Sequence, residues 1–103
     1  MQFKHISVAE LKALSNEQTI NIVDTRDQQS FALSHIPKAF NLNQGNLEQH
    51  IADCDMDIPM VVCCYHGISS QGVAQFLVER GFDEVYSLDG GFEAYANATN
   101  ASE

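Results

Sequence analysis

Residues 60–64, Met-Val-Val-Cys-Cys, follow Pro59 and carry no charged, hydroxyl or amide side chain. A strand with one solvated face alternates apolar and polar residues, whereas an unbroken apolar run suits a strand covered on both faces. Such cover comes from helices packed above and below a parallel sheet. This one stretch therefore points to an α/β domain, a central parallel sheet flanked by helices on both faces.

The rest of the chain supplies alternating pieces of the right length. Ser7 with Glu10 three residues later is a capping box, opening a helix with Val8, Leu11 and Leu14 inward. Thr19–Val23 is short and β-branched, and reads as a strand that Asp24 ends. Asp27 is placed to cap a short helix through Ser30, Phe31 and Leu33, broken at His35-Ile36-Pro37 because the residue before proline avoids the helical region. Ala39–Leu42 predicts a brief strand, and Leu47–Cys54 has helical spacing. After the apolar run, Ser69 or Ser70 can cap a helix facing inward through Val73, Phe76, Leu77 and the stem of Arg80, with Gly81 stopping it. Glu84–Leu88 is a further strand, Asp89-Gly90-Gly91 a turn, and Phe92–Ala98 a last helix.

A length of 103 residues predicts a single domain over 1–103, with its core over about 5–96 and a small polar tail, 97–103, expected to fray. The net charge of −9 argues against nucleic acid and anionic membranes as partners, since both are held through Lys and Arg. No leader pattern and no membrane-length apolar run is present, so a cytoplasmic location is expected. Three cysteines with no matching Cys/His cluster imply free thiols in a reducing compartment and no metal site.

Cys64 closes the apolar run, and Tyr65-His66-Gly67-Ile68-Ser69-Ser70 leads from it into a helix. Parallel sheets bind ligands off the carboxyl ends of their strands. A loop there can curl so that its N–H groups face the sulfur; such nests and helix N-termini favour anions and lower a thiol pKa. A free Cys is equally often a small buried hydrophobe, and position alone leaves both readings of Cys64 open. Cys63 points to the opposite face of the strand and reads as core, as does Cys54 on its helix face. Cys-loop phosphatases clamp phosphate with an Arg at the end of the loop. Here Ser69, Ser70 and Gln71 stand in that region and no Arg occurs before Arg80, which weighs against phosphoryl transfer.

"CYHGISSQGVAQFLVERGF" resembles the active-site loop and helix of the rhodanese family. "NIVDTRDQQSFALSHIPKAFNL" is similar to its Asp-x-Arg run followed by Gly-His-Ile-Pro-x-Ala-x-Asn. "VYSLDGGFEAY" resembles its Leu-x-Gly-Gly-x-x-Ala-Trp ending. The order and spacing fit from about residue 5 to residue 96. Ser34 and Tyr95 stand where the family often has Gly and Trp, and Gln71 where a basic residue often helps hold an anionic donor.

The resemblance, closest to the single-domain thiosulfate sulfurtransferases, implies a catalytic Cys64 that takes the sulfane sulfur of thiosulfate, or of another persulfide, and becomes a persulfide. The loop N–H groups of Tyr65, His66, Gly67, Ile68, Ser69 and Ser70 would cradle it, with the serine hydroxyls as further donors. A thiophilic acceptor, cyanide in an assay or a dithiol such as thioredoxin in the cell, would remove it, with no organic cofactor. Asp24, Arg26 and His35 are implied to be structural supports. Two other readings stand beside this one: a thiol redox or sensor module using Cys63-Cys64, and a non-catalytic docking domain on the same fold.

Overall fold

The computed structural model describes residues 2–101. The chain runs β1 (Lys4–Ile6), α1 (Val8–Glu17), β2 (Asn21–Asp24), α2 (Gln28–Leu33), β3 (Phe40–Asn41), α3 (Leu47–Asp53), β4 (Met60–Cys63), α4 (Ser69–Glu79), β5 (Val85–Leu88) and α5 (Gly91–Ala101). The five strands form one sheet in the order β1-β5-β4-β2-β3, and every pairing is parallel. The apolar run is the central strand, β4, with Met60 to Cys63 all buried. Val62 lies beside Val23 of β2 on one side and Ser87 of β5 on the other.

Side chains alternate along β4 and divide the core into two layers. Met60 and Val62 pack with Leu42, Ile51 of α3, Ala74 and Leu77 of α4, and Phe82. Val61 and Cys63 pack on the other face with Leu11 of α1, Ile22, Ile36 and Leu88, and with Phe92 and Tyr95 of α5 beside them. Helices thus cover both faces, as the uninterrupted apolar run requires.

Several boundaries follow the sequence reading and others correct it. Ser7 and Glu10 form the full capping box, with bonds of 3.1 Å and 2.9 Å, and Asp27 caps α2 by accepting from Ser30 N–H at 3.0 Å. Gly81 follows α4 with φ +112°, a conformation open to glycine. The edge strand β1 was not expected from the sequence, because only Ile6 of its three residues is buried and Lys4 and His5 face water. An edge blunted by charge in this way loses the apolar signature of a strand. Asp24 is the last residue of β2, paired with Cys63 and Asn41, and its carboxylate is buried in an ion pair. Residues 97–101, expected to fray, continue α5, and Ser102 and Glu103 lie outside the described residues.

The start of α4 is the main local correction. Neither Ser69 nor Ser70 caps it; Ile68 holds the N-cap position and makes no side-chain cap bond. The Ser70 N–H, left free by the missing cap, donates to the Cys64 sulfur. The inward face is also rotated relative to the expected one: Ser70, Ala74 and Leu77 are buried, while Phe76 and Arg80 are exposed.

One buried ion pair ties the carboxyl ends of the strands together. The Arg26 guanidinium donates through Nε and Nη2 to the Asp24 carboxylate at 3.0 Å and 2.8 Å, and its Nη2 also donates to Ser34 O at 2.7 Å, just past α2. Asp24 Oδ1 accepts from the Arg26 N–H as well. The guanidinium lies 4.0 Å from the centre of the Phe92 ring at the start of α5. Removing one partner of such a pair strands a buried charge, a loss of about 3–5 kcal/mol. Asp24→Ala is therefore expected to lower the unfolding free energy by about that amount; urea denaturation checks it, and a loss below about 1 kcal/mol would assign the pair a minor role.

Candidate active site

Cys64 is the first residue beyond the central strand, at the carboxyl edge of the sheet, and it is only 2 % exposed. Thr25 donates from its N–H and hydroxyl to Cys63 O at 2.9 Å and 3.3 Å, anchoring the strand end against β2. The chain then curls. Gly67 takes φ +87°, and a Cβ at that position would lie 2.7 Å from Gly90 N, so only glycine fits. The curl turns the Gly67 N–H toward the Cys64 sulfur at 3.1 Å, and the Ser70 N–H approaches it at 3.3 Å from the first turn of α4.

These donors decide the protonation of the sulfur. Burial pushes the Cys64 thiol up, but the hydroxyls of Ser69 and Ser70 and the N–H groups of Ser70 and Gly67 outweigh it and bring the pKa down to about 7. Cys63 is the opposite case. Burial, reinforced by the Asp24 carboxylate, pushes its thiol up to about 12. The two adjacent cysteines thus differ by their faces: one sulfur meets hydrogen-bond donors and the other meets the core.

The loop is held from outside by α5. The N–H groups of Phe92 and Glu93 donate to Cys64 O at 2.7 Å and Tyr65 O at 3.2 Å. This contact is possible because residue 91 has no side chain: at φ +59°, a Cβ on Gly91 would lie 2.5 Å from Cys64 O and 2.7 Å from His66 N. Gln71, in the place where a basic residue was looked for, donates from Nε2 to Gly67 O at 2.9 Å and so braces the curl. Tyr65 hydrogen-bonds through its hydroxyl to the Asp27 carboxylate and to Ser30, tying the loop to α2.

The remaining residues singled out from the sequence take different places. Ser70 is fully buried and Ile68 is 76 % exposed at the rim. His66 is exposed, with Nδ1 3.6 Å from the Glu93 carboxylate. His35 stacks on Phe31 at 3.9 Å, and its Nδ1 is 2.7 Å from Phe31 O, at the exposed end of α2. Asp24 and Arg26 stand behind the loop and do not touch the sulfur. Cys54 is half-buried at the end of α3, away from the site. Gly90-Gly91, a turn by sequence, also seats α5 on the loop after Cys64, and the doubled glycine before a helix is the signal for it. A groove of about 340 Å³ lies between α4 and the chain after β3, and Cys64 does not line it. At Cys64 the loop N–H groups of Gly67 and Ser70 form a cradle around the sulfur.

Residues 7–98 match the rhodanese-like domain family, and the chain belongs to the rhodanese family. It is similar to a protein of Shewanella oneidensis named thiosulfate sulfurtransferase GlpE, with 56 % identity over 93 % of this chain and 95 % of that protein. A protein of the same name in Vibrio cholerae is 48 % identical over 93 % of this chain and 91 % of its own length. In three dimensions the chain resembles a rhodanese-like domain protein of Staphylococcus aureus, with a TM-score of 0.78 and 24 % identity, covering 90 % of this chain and 91 % of that one.

Two outcomes follow from the cradle. Alkylation of Cys64 should rise with pH to half its maximal rate near 7, following the thiolate, while Cys63 stays unmodified in the folded protein; iodoacetamide kinetics with peptide mapping measure both. Gly91→Ala should push α5 off the loop and lower sulfur transfer by at least about tenfold, equivalent to about 1.4 kcal/mol in the barrier. Wild-type rates in that variant would mean that the α5 contact does not hold the loop.

Proposed function

We propose that this rhodanese is a thiosulfate sulfurtransferase that carries the transferred sulfur as a persulfide on Cys64. The observation that carries the reading is the convergence of the Gly67 and Ser70 N–H groups on a single sulfur, at 3.1 Å and 3.3 Å, whose pKa is lowered to about 7. The Cys64 thiolate attacks the outer sulfur of thiosulfate, the S–S bond to the sulfonate breaks, and sulfite leaves with the bonding pair. The product Cys64–S–S⁻ keeps the negative charge in the loop, where the same donors stabilise it without reorganising. Cyanide, or an acceptor thiolate, then attacks the outer sulfur and returns the Cys64 thiolate, completing a double displacement. A dithiol acceptor such as thioredoxin resolves its own persulfide to a disulfide and hydrogen sulfide.

The small exposure of Cys64 favours donors and acceptors that present a narrow tip: a sulfane sulfur, cyanide or an extended thiolate. Of the competing readings, phosphoryl transfer lacks the arginine that would clamp an oxyanion in the loop. A Cys63-Cys64 redox pair is disfavoured because the Cys63 sulfur lies in the opposite core layer. A pure docking role leaves the activated thiol without a purpose. No helix among the described residues is long and apolar enough to cross a membrane, and we place the reaction in the cytoplasm.

Intact-protein mass spectrometry after brief exposure to thiosulfate should show a gain of one sulfur atom, mapped to Cys64 and removed by cyanide. Cys64→Ser should abolish that gain and all turnover with little loss of stability, since the substitution is nearly isosteric. Cys63→Ser should keep most of the activity. Turnover in Cys64→Ser, or its loss in Cys63→Ser, would reassign the nucleophile.

A further inference from the structure

Glu93 meets the loop after Cys64 in two ways. It lies in the first turn of α5, and its N–H donates to Tyr65 O at 3.2 Å. Its carboxylate reaches the same loop, where one oxygen lies 3.6 Å from His66 Nδ1. The two side chains are 66 % and 64 % exposed, so this carboxylate is a charge at the mouth of the site and not a buried brace. The backbone contact keeps it there whichever rotamer the side chain adopts.

No fixed positive charge answers it. The chain has five Lys and Arg, and each is placed elsewhere. Arg26 is sealed against the Phe92 ring in its pair with Asp24. Arg80 stands beyond the far end of α4, about 16 Å along the helix from the loop, and is bonded to Glu48. Lys12 and Lys38 line a groove with Thr19 and Ile20, at the opposite edge of the sheet, where β2 begins. Lys4 opens the edge strand β1, two strands away from β4. Two further carboxylates share the edge with Glu93: Asp27 accepts from the Tyr65 hydroxyl, and Asp89, just past β5, lies 3.0 Å from His5 Nδ1.

We infer that Glu93 is a specificity-determining residue: its carboxylate repels donors of high negative charge, and so biases Cys64 toward sulfane-sulfur donors of one negative charge over the dianion thiosulfate. An organic thiosulfonate is such a donor. The Cys64 thiolate attacks its outer sulfur, the S–S bond breaks, and a sulfinate leaves with the bonding pair where thiosulfate releases sulfite. The loop N–H groups act on the sulfur at hydrogen-bond range, whereas the carboxylate acts on the whole charge of the donor as it approaches. Coulomb energy doubles when the donor charge doubles, so one carboxylate separates two donors that offer the same sulfur. This role rests on the Cys64 persulfide reading above, but the charge at the mouth is measurable without any sulfur transfer.

The test compares alkylation of Cys64 by iodoacetate, an anion, and by iodoacetamide, which is uncharged, at pH 8.5 and low salt, where the Debye length is about 30 Å. Both reagents consume the same thiolate, so the ratio of their rates cancels the thiolate fraction and reports the local charge. Glu93→Gln, which retains the N–H contact, should raise the iodoacetate-to-iodoacetamide ratio about twofold, and Glu93→Lys about fourfold. Glu17→Gln makes the same change in net charge at the end of α1, by the opposite edge of the sheet, and should leave the ratio unchanged. In sulfur transfer, Glu93→Gln should raise kcat/KM about fourfold for thiosulfate and about twofold for benzenethiosulfonate, and high salt should erase both gains. An unchanged ratio in both Glu93 variants, an equal rise in Glu17→Gln, or equal gains for the two donors would overturn the role. A raised ratio in Glu93→Gln beside a wild type that takes up no sulfur would uphold the charge at the mouth and overturn the persulfide reading.

Discussion

The buried pair of Asp24 and Arg26 is the constraint from which the geometry of the site descends. The carboxylate fixes the end of β2, and the guanidinium reaches past α2 to Ser34 O and lies against the Phe92 ring. Phe92 is the second residue of α5, and its N–H holds Cys64 O. A pair of charges that makes no hydrogen bond to the Cys64 sulfur therefore helps to set where the loop after Cys64 sits. Full desolvation suits this purpose. A guanidinium with its carboxylate and carbonyl partners in place has one favourable position, whereas an apolar contact would tolerate sliding.

The Cys64 thiol meets the hydrogen-bond donors of its own loop. A chain with a net charge of −9 favours a thiolate at Cys64 by means of dipoles. Backbone N–H groups and hydroxyls carry partial charge at short range, so they stabilise an anion in the cradle without making the surface basic. A tetrahedral oxyanion needs a bidentate clamp, whereas one sulfur atom needs only a ring of donors.

Much of the fold was legible because the relevant signals are local. The β4 run, the Ser7–Glu10 box, the Asp27 cap and the Gly81 stop each lie within a few residues of one another and state their own geometry. The strand at Lys4–Ile6 was not legible, because one buried residue in three makes no pattern. The start of α4 misled for a chemical reason. Serines near a helix start usually cap it, but here the N-cap position falls one residue earlier, at Ile68, and the Ser70 N–H in the first turn goes to sulfur. In the site, Cys64 and its loop could be read from one contiguous stretch, whereas Gln71 as a brace and Ser87 as a partner of Ser70 could not.

The sequence by itself determined that a two-sided apolar strand would end in a cysteine followed by a short glycine-containing loop and a helix. That order is covalent, and it places the thiol at the carboxyl edge of the sheet. Only the tertiary structure decided how the loop is held and how far the Cys64 thiol pKa is lowered, to about 7. Gly91 lies 27 residues from Cys64, and Ser87 lies 17 from Ser70. The carbonyl contact of Phe92, the Ser70–Ser87 hydroxyl pair and the Arg26 contacts that hold the elements around the loop exist only once β4, β5, α4 and α5 have packed. A pKa responds to donors within a few ångströms whatever their separation along the chain.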